Sequence, residues 1–271
     1  MLFQVNHQPA YCYTGSKPLQ PNLPTLVFIH GAQTDHSVWA LQSRYFAHHG
    51  FNVLALDLPG HGRSLGAALT NVEDMAHWII ALLDAAQIAQ ASLIGHSMGS
   101  LIALEAARIA PTRISKLALL GNAYPMKVAD ALLTMAHDDE PGAIELVTTW
   151  SHLNATQQTA IPGFSLQGSA RRLMQRMSAI NPAQLFHTDF SACNNYQQGE
   201  LAAQAITAQQ LPVLFVMAKQ DRMTPTKASA ALRSSIVHAK TVEIDQCGHS
   251  LMTEQPDAVL NALKQFLNQS H

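Results

Sequence analysis

Six short, almost wholly apolar runs recur along the chain, most of them ending in turn-forming residues. Thr25-Leu26-Val27-Phe28-Ile29 runs into His30-Gly31, and Asn52-Val53-Leu54-Ala55-Leu56-Asp57 into Pro59-Gly60-His61-Gly62. Residues 92–95, 116–121, 212–218 and 241–244 complete the set. Runs this short, with little polar alternation, read as strands buried on both faces. Between them apolar positions recur at helical spacing over residues 39–48, 72–87, 98–109 and 227–234, and a C-terminal helix is expected over 256–267. Alternating strand and helix predicts an α/β fold, a mostly parallel central sheet flanked by helices. The Tyr11-Cys12-Tyr13 region and the segment before it read as an N-terminal hairpin.

The alternation breaks between Asn122 and Gln210, where helical patterns run without a convincing strand and Pro125, Pro141, Pro162 and Pro182 punctuate the chain. The expected division is a core formed by residues 1–121 and 211–271, with 122–210 inserted as a helical cap. In an open parallel sheet the ligand crevice lies outside the C-terminal strand ends. A roof inserted there would shape substrate access.

Composition narrows the function. With 48% hydrophobic and 13% charged residues over 271 positions, the chain has ample material for a large core. A net charge of -2 and no basic block give no footprint for nucleic acid. Cys12, Cys193 and Cys247 are odd in number and far apart, so neither a disulfide framework nor a metal set is expected. The first residues lack the charged and apolar regions of a signal peptide, and no apolar stretch reaches the roughly 18 residues of a membrane span. The expectation is a cytoplasmic protein without a membrane span.

One pentapeptide carries the chemistry. Gly95-His96-Ser97-Met98-Gly99 stands between an apolar run and a helical pattern, the setting of a nucleophile elbow. Such a turn is sharp, strains the serine backbone and needs glycine on either side. Ser97 Oγ would project from the sheet edge, with free N–H groups of the next helix beneath it.

A serine hydroxyl needs a base, and the base needs a carboxylate to orient it. The expected chain order is Ser, acid, His, with the last two on loops after late strands. Asp221 follows the fifth apolar run, in Lys219-Gln220-Asp221-Arg222-Met223-Thr224-Pro225, and His249 follows the sixth, in Cys247-Gly248-His249-Ser250. Asp221 also suits a helix cap near Thr226. Asp245 is a rival acid, placed at the end of the last strand and aimed less well at His249. Two backbone donors would hold an oxyanion: the amide of Met98, following the nucleophile, and that of Ala32 in His30-Gly31-Ala32-Gln33. His30 is expected to order that loop.

As an ordered set, these motifs resemble the alpha/beta-hydrolase fold superfamily, in its capped esterase and lactonase form. His30-Gly31 with Trp39, Asp57-Leu58-Pro59-Gly60-His61-Gly62-Arg63-Ser64, Gly95-His96-Ser97-Met98-Gly99, Asp221 with Pro225, and Gly248-His249 carry the likeness over nearly the whole chain. The resemblance implies a structural role for the Asp57 segment and, for the cap, only its existence. Relatives that open epoxides or remove halides carry an aspartate at the nucleophile position, and Ser97 argues against those chemistries. Some members place the acid after the strand preceding the cap, where this chain has Gly121-Asn122.

The activity this implies is hydrolysis of a small or medium carboxylic ester, lactone or thioester through an acyl-enzyme, with a small-molecule substrate and neither cofactor nor metal. Other enzymes on the same residues (a carbon–carbon bond hydrolase, an acyltransferase, a perhydrolase) and a binding protein keeping the fold are the alternatives. His137-Asp138-Asp139-Glu140 reads as a solvated turn before a metal site. Arg171, Arg172 and Arg176 read as a solvated helix face before a carboxylate receptor. Met126, Met135, Trp150, Leu153, Phe164, Leu166, Met174 and Met177 would pack the cap or line an acyl pocket, and Cys193 would pack within it.

Overall fold

Eight strands join in one sheet: β1 (Leu2–Val5), β2 (Gln8–Tyr13), β3 (Thr25–Ile29), β4 (Asn52–Leu56), β5 (Ala91–His96), β6 (Ile114–Leu120), β7 (Val213–Ala218) and β8 (Lys240–Ile244). The computed structural model describes residues 1–153, 165–181 and 183–269. Pro162, Phe164 and Pro182 lie outside them. The strand order is β1-β2-β4-β3-β5-β6-β7-β8, parallel from β4 through β8. The N-terminal hairpin pairs antiparallel with the edge of this sheet. Its turn places Asn6 and His7 at φ 50° and 64°, the two left-handed residues that match the twist of a tight hairpin.

The described helices are α1 (Ala40–Ala47), α2 (Val72–Ala85), α3 (Met98–Ile109), α4 (Asp130–Asp138), α5 (Glu140–Trp150), α6 (Leu166–Ile180), α7 (Leu185–Asn195), α8 (Gly199–Ala208), α9 (Ala230–Ser235), α10 (Leu251–Glu254) and α11 (Pro256–Leu267). Successive side chains of a strand leave opposite faces. Val27 and Ile29 therefore join Leu82, Leu101 and Ile206 of α2, α3 and α8, while Leu26 and Phe28 join Trp39, Phe46 and Leu263 on the side of α1 and α11. Because both faces are covered, the central strands carry no exposed residue, which is why they read as unbroken apolar runs. No helix among the described residues is long and apolar enough to cross a membrane.

The stretch from 122 to 210 divides physically. Leu132, Ala136, Ile144, Val147, Met174, Phe186 and Phe190 of α4–α7 form a small core of their own. Helix α8 instead packs Ala202, Ala203 and Ile206 against α3 in the main core. Cys193 and Tyr196, at the end of α7, reach the same core.

Tyr196 anchors that junction to a buried charge. Its hydroxyl donates to Glu105 Oε2 at 2.9 Å, and Arg108 donates to the same carboxylate through Nε at 2.9 Å and Nη2 at 2.6 Å. Glu105 is wholly buried, so water cannot replace a donor lost from its carboxylate, and a hydrogen bond to a charged group is among the stronger ones. Tyr196→Phe should destabilise the protein by about 1–3 kcal/mol, read as a lower urea midpoint at unchanged slope. An unshifted midpoint would mean that Arg108 alone satisfies Glu105.

Candidate active site

The chain passes from β3 to β4 on one side of the sheet and returns to β5 on the other. The order therefore reverses between β3 and β5, and the crevice for a ligand opens outside their carboxyl ends. His30, Gly31 and Ala32 leave β3 there, and Ser97 leaves β5. Ser97 is turned to φ 53°, ψ -119°, a backbone conformation that side-chain-bearing residues avoid. The turn closes because its flanks are glycine. A Cβ on Gly95 would stand 2.1 Å from the Gly99 carbonyl oxygen, and one on Gly99 would stand 2.4 Å from that of Ile29. Ser97 N donates to Leu120 O at 3.0 Å, and Ser100 donates to Ser97 O through its amide and its hydroxyl. Asn122 Nδ2 in turn holds Ser100 Oγ at 2.9 Å.

Asp221 and His249 come together beside this turn. Asp221 Oδ2 lies 2.8 Å from His249 Nδ1, and Asp221 Oδ1 accepts the amides of Met223 and Thr224, each at 2.8 Å. Burial by itself would raise the Asp221 carboxyl, but the His249 ring and these donors hold it down at about 2. Asp245 points elsewhere: it is exposed and takes hydrogen bonds from Lys219 and Gln220. Thr224, which sequence reasoning missed, sits with its hydroxyl 2.7 Å from Asp221 Oδ2, 2.9 Å from Gly121 O and 3.1 Å from His249 Nδ1. Its signal was an aspartate followed three residues later by threonine. Gly121, at φ 54°, lies against the imidazole, where an added Cβ would meet His249 Cε1 at 3.3 Å.

Two more histidines frame the site as neutral rings. His96 donates from Nε2 to the His249 carbonyl at 2.9 Å, and burial, then the His249 ring, bring it down to about 3. His30 Nδ1 donates to Gly31 O at 2.8 Å while its Nε2 accepts Leu58 N at 3.1 Å. Burial, then the neighbouring His61, bring His30 down to about 4. The amides of Ala32 and Met98 donate to no protein group among the described residues. Gly31, Ala32, His96, Ser97 and His249 line one cavity of about 270 Å³, closed from the other side by Val147, Met174, Phe186 and Phe190 of α5–α7.

Residues 24–256 match the family described as alpha/beta hydrolase fold. The chain belongs to that family. A Haemophilus influenzae protein named only provisionally as an esterase/lipase is 26% identical over 250 residues, spanning 92% of this chain and 85% of its own length. The (E)-2-((N-methylformamido)methylene)succinate hydrolase of Acinetobacter baylyi is 24% identical over 249 residues, 89% of either chain. Among solved structures, the enol-lactonase from Burkholderia xenovorans LB400 superposes with a TM-score of 0.85 at 21% identity, over 99% of this chain and 100% of that one.

The remaining candidates of this hydrolase fold have other partners. Arg171 pairs with Glu145, and Arg176 with Asp35. Asp139 caps α5 at Gly142 N, and Glu140 accepts from Gln33 and Ser178. Asp35, His36 and Asp57 bring their ligand atoms within 4.8 Å of one another, yet Asp57 is taken by His36 and Arg63, and Asp35 by Ser37 and Arg176. Of the apolar residues singled out between 122 and 210 in the sequence, Leu166 and Met174 reach the cavity wall, Met126 and Met177 are buried, and Trp150 is exposed. Cys193 is buried, and burial pushes its thiol up.

The neutral histidines give stability a pH dependence. Folded, His30 and His96 bind protons only near 4 and 3, against about 6.5 for histidine in an unfolded chain. Across that window the unfolded state holds more protons, so their contribution is lost as pH falls below about 6.5. His61, raised by the Asp189 carboxylate against the effect of burial, works in the opposite sense and loses its contribution only as pH rises above that value. Near pH 5, unfolding should take up about two protons on account of His30 and His96, measured as the slope of stability against pH from urea midpoints. A flat or inverted slope there would show that these rings are not held neutral.

Proposed function

We propose that the protein is a serine hydrolase of small or medium carboxylic esters, lactones or thioesters. Ser97 Oγ attacks the carbonyl carbon while His249 Nε2 takes its proton, and Asp221, through the 2.8 Å contact to Nδ1, fixes the tautomer and stabilises the imidazolium. The amides of Met98 and Ala32 receive the oxyanion. His249 returns the proton to the leaving oxygen, and a water deprotonated by the same ring releases the acid. The observation that carries this reading is the buried Asp221–His249 pair, whose imidazole lies on the same cavity wall as Ser97, a residue held in an otherwise avoided backbone conformation. The ester class is further supported by the esterase/lipase name of the Haemophilus influenzae relative. In this reading α4–α7 are the cap, and the cavity of about 270 Å³ beneath them suits a small substrate.

The test is labelling by an alkyl fluorophosphonate, followed by hydrolysis of p-nitrophenyl esters from acetate to decanoate. The native protein should gain one phosphonyl group on Ser97, and Ser97→Ala none. Ser97→Ala should lose at least about a thousandfold in kcat/KM. Asp221→Ala should fall by about a hundredfold or more, whereas Asp245→Ala should stay within about twofold, as for an exposed residue. An unlabelled native protein would overturn the reading, and equal losses in the two aspartate variants would overturn the assignment of the acid.

A further inference from the structure

The loop that carries Ala32 is held from above as well as from below. Below, the Gly31 carbonyl accepts from His30 Nδ1 at 2.8 Å and from Thr34 Oγ1 at 2.9 Å. That carbonyl and the Ala32 N–H belong to one trans peptide, so they point in opposite directions, and two donors on the oxygen polarise the N–H as a donor. The next peptide is held by the cap. Gln33 N donates to Asp189 Oδ2 of α7 at 2.8 Å, across 156 positions of sequence. The Gln33 side chain is buried among cap helices, with Nε2 2.9 Å from Glu140 Oε1, 2.9 Å from Ser178 Oγ and 3.2 Å from Met174 O.

Two features show that this contact does more than fill space. Gln33 has φ 55°, a conformation costly for a residue with a side chain and retained only where surroundings impose it. Asp189 is wholly buried, and its Oδ1 has no hydrogen-bond partner, so a full carboxylate is placed where only one oxygen is used. That oxygen takes a second donor, His61 Nε2 at 2.9 Å, while His61 Nδ1 faces the Pro59 carbonyl at 3.0 Å. A carbonyl only accepts, so His61 donates from both nitrogens and faces Asp189 as a cation. The charge of the pair is balanced inside the protein, and the oxyanion loop is tied into it.

We propose that the cap sets the oxyanion hole, with Asp189 and Gln33 as positioning residues that fix the direction of the Ala32 amide. This rests on the serine-hydrolase reading above. The cap then has a part in the rate of the chemical step as well as in the shape of the substrate pocket.

The experiment is saturation kinetics of labelling by an alkyl fluorophosphonate. In this reaction Ser97 Oγ bonds to phosphorus, fluoride leaves, the serine proton passes to His249, and the phosphoryl oxygen sits where an oxyanion would. Asp189→Ala should lower the limiting rate about tenfold to a hundredfold, with the half-saturating concentration within about twofold of native. Asp189→Asn, which keeps an acceptor for Gln33 N, should recover most of the rate. A merely structural role would lower the melting temperature without this split and without rescue. Gln33→Gly, which suits the backbone but removes the side-chain anchor, should fall in the same direction and decides the matter if Asp189→Ala does not fold. A native limiting rate in folded Asp189→Ala or Gln33→Gly, or a loss carried by half-saturation alone, would overturn the proposal while labelling of native Ser97 upheld the reading beneath it. No labelling of the native protein would overturn both.

Discussion

The sharp turn at Ser97 is the constraint on which the rest of the site depends. A residue at φ 53° persists only if every alternative is blocked. Here Leu120 O holds its amide, and Ser100 holds its carbonyl twice. The two glycines let α3 press on β3 and β5 at distances no side chain permits. The same closeness brings the first turn of α3 against the end of β3 where the Ala32 loop begins. Relaxing the turn would therefore move Ser97 and the amides of Met98 and Ala32 together. A serine on a flexible loop would have no such coupling.

Burial then decides which groups around the turn carry charge. His30 has one donor and one acceptor role and His96 one donor role, which neutral rings can meet, and desolvation keeps the further proton off. Asp221 is as buried as these rings, yet remains ionised because two amides, a hydroxyl and the His249 ring all face it. The result is a lone stabilised carboxylate behind His249, with no permanent cation in the rings beside it. His61 and Asp189 hold a second buried His–Asp contact that differs in geometry. There the histidine also donates to a carbonyl, so the ring is locked as a cation and has no free nitrogen with which to accept a proton.

The sheet and most of its helices were legible because burial on two faces leaves unbroken apolar runs, and the strand at Thr25–Ile29 has the bounds read from sequence. The placing of Ser97, Asp221 and His249 at one edge of the sheet was legible for a related reason: each stands on the loop that a strand delivers there. The assignment of α8 was not, since its packing against α3 depends on tertiary contact and its sequence is helical either way. Thr224 could be found only as part of an aspartate turn. The contacts of Gln33 and His61 with Asp189 gave no local signal beyond the motifs that hold the first two, because they span 156 and 128 positions and form only once α7 is seated.

That dependence bears on how α4–α7 can vary while the residues beneath them stay in place. Val147, Phe186 and Phe190 meet the cavity with apolar surface, and changes of size among such residues alter pocket shape at modest cost to the fold. Asp189 lies on the same helix as Phe186 and Phe190 but faces away from the cavity, toward His61 and the Gln33 amide. Its loss would remove the carboxylate that raises His61 against burial, so the ring would give up its proton and α7 its charged tie to the core. One face of α7 is thus free to set the pocket, and the other is bound by electrostatics to the core. A helix with its two faces under such different constraints can change what the pocket admits without moving the loop that carries Ala32.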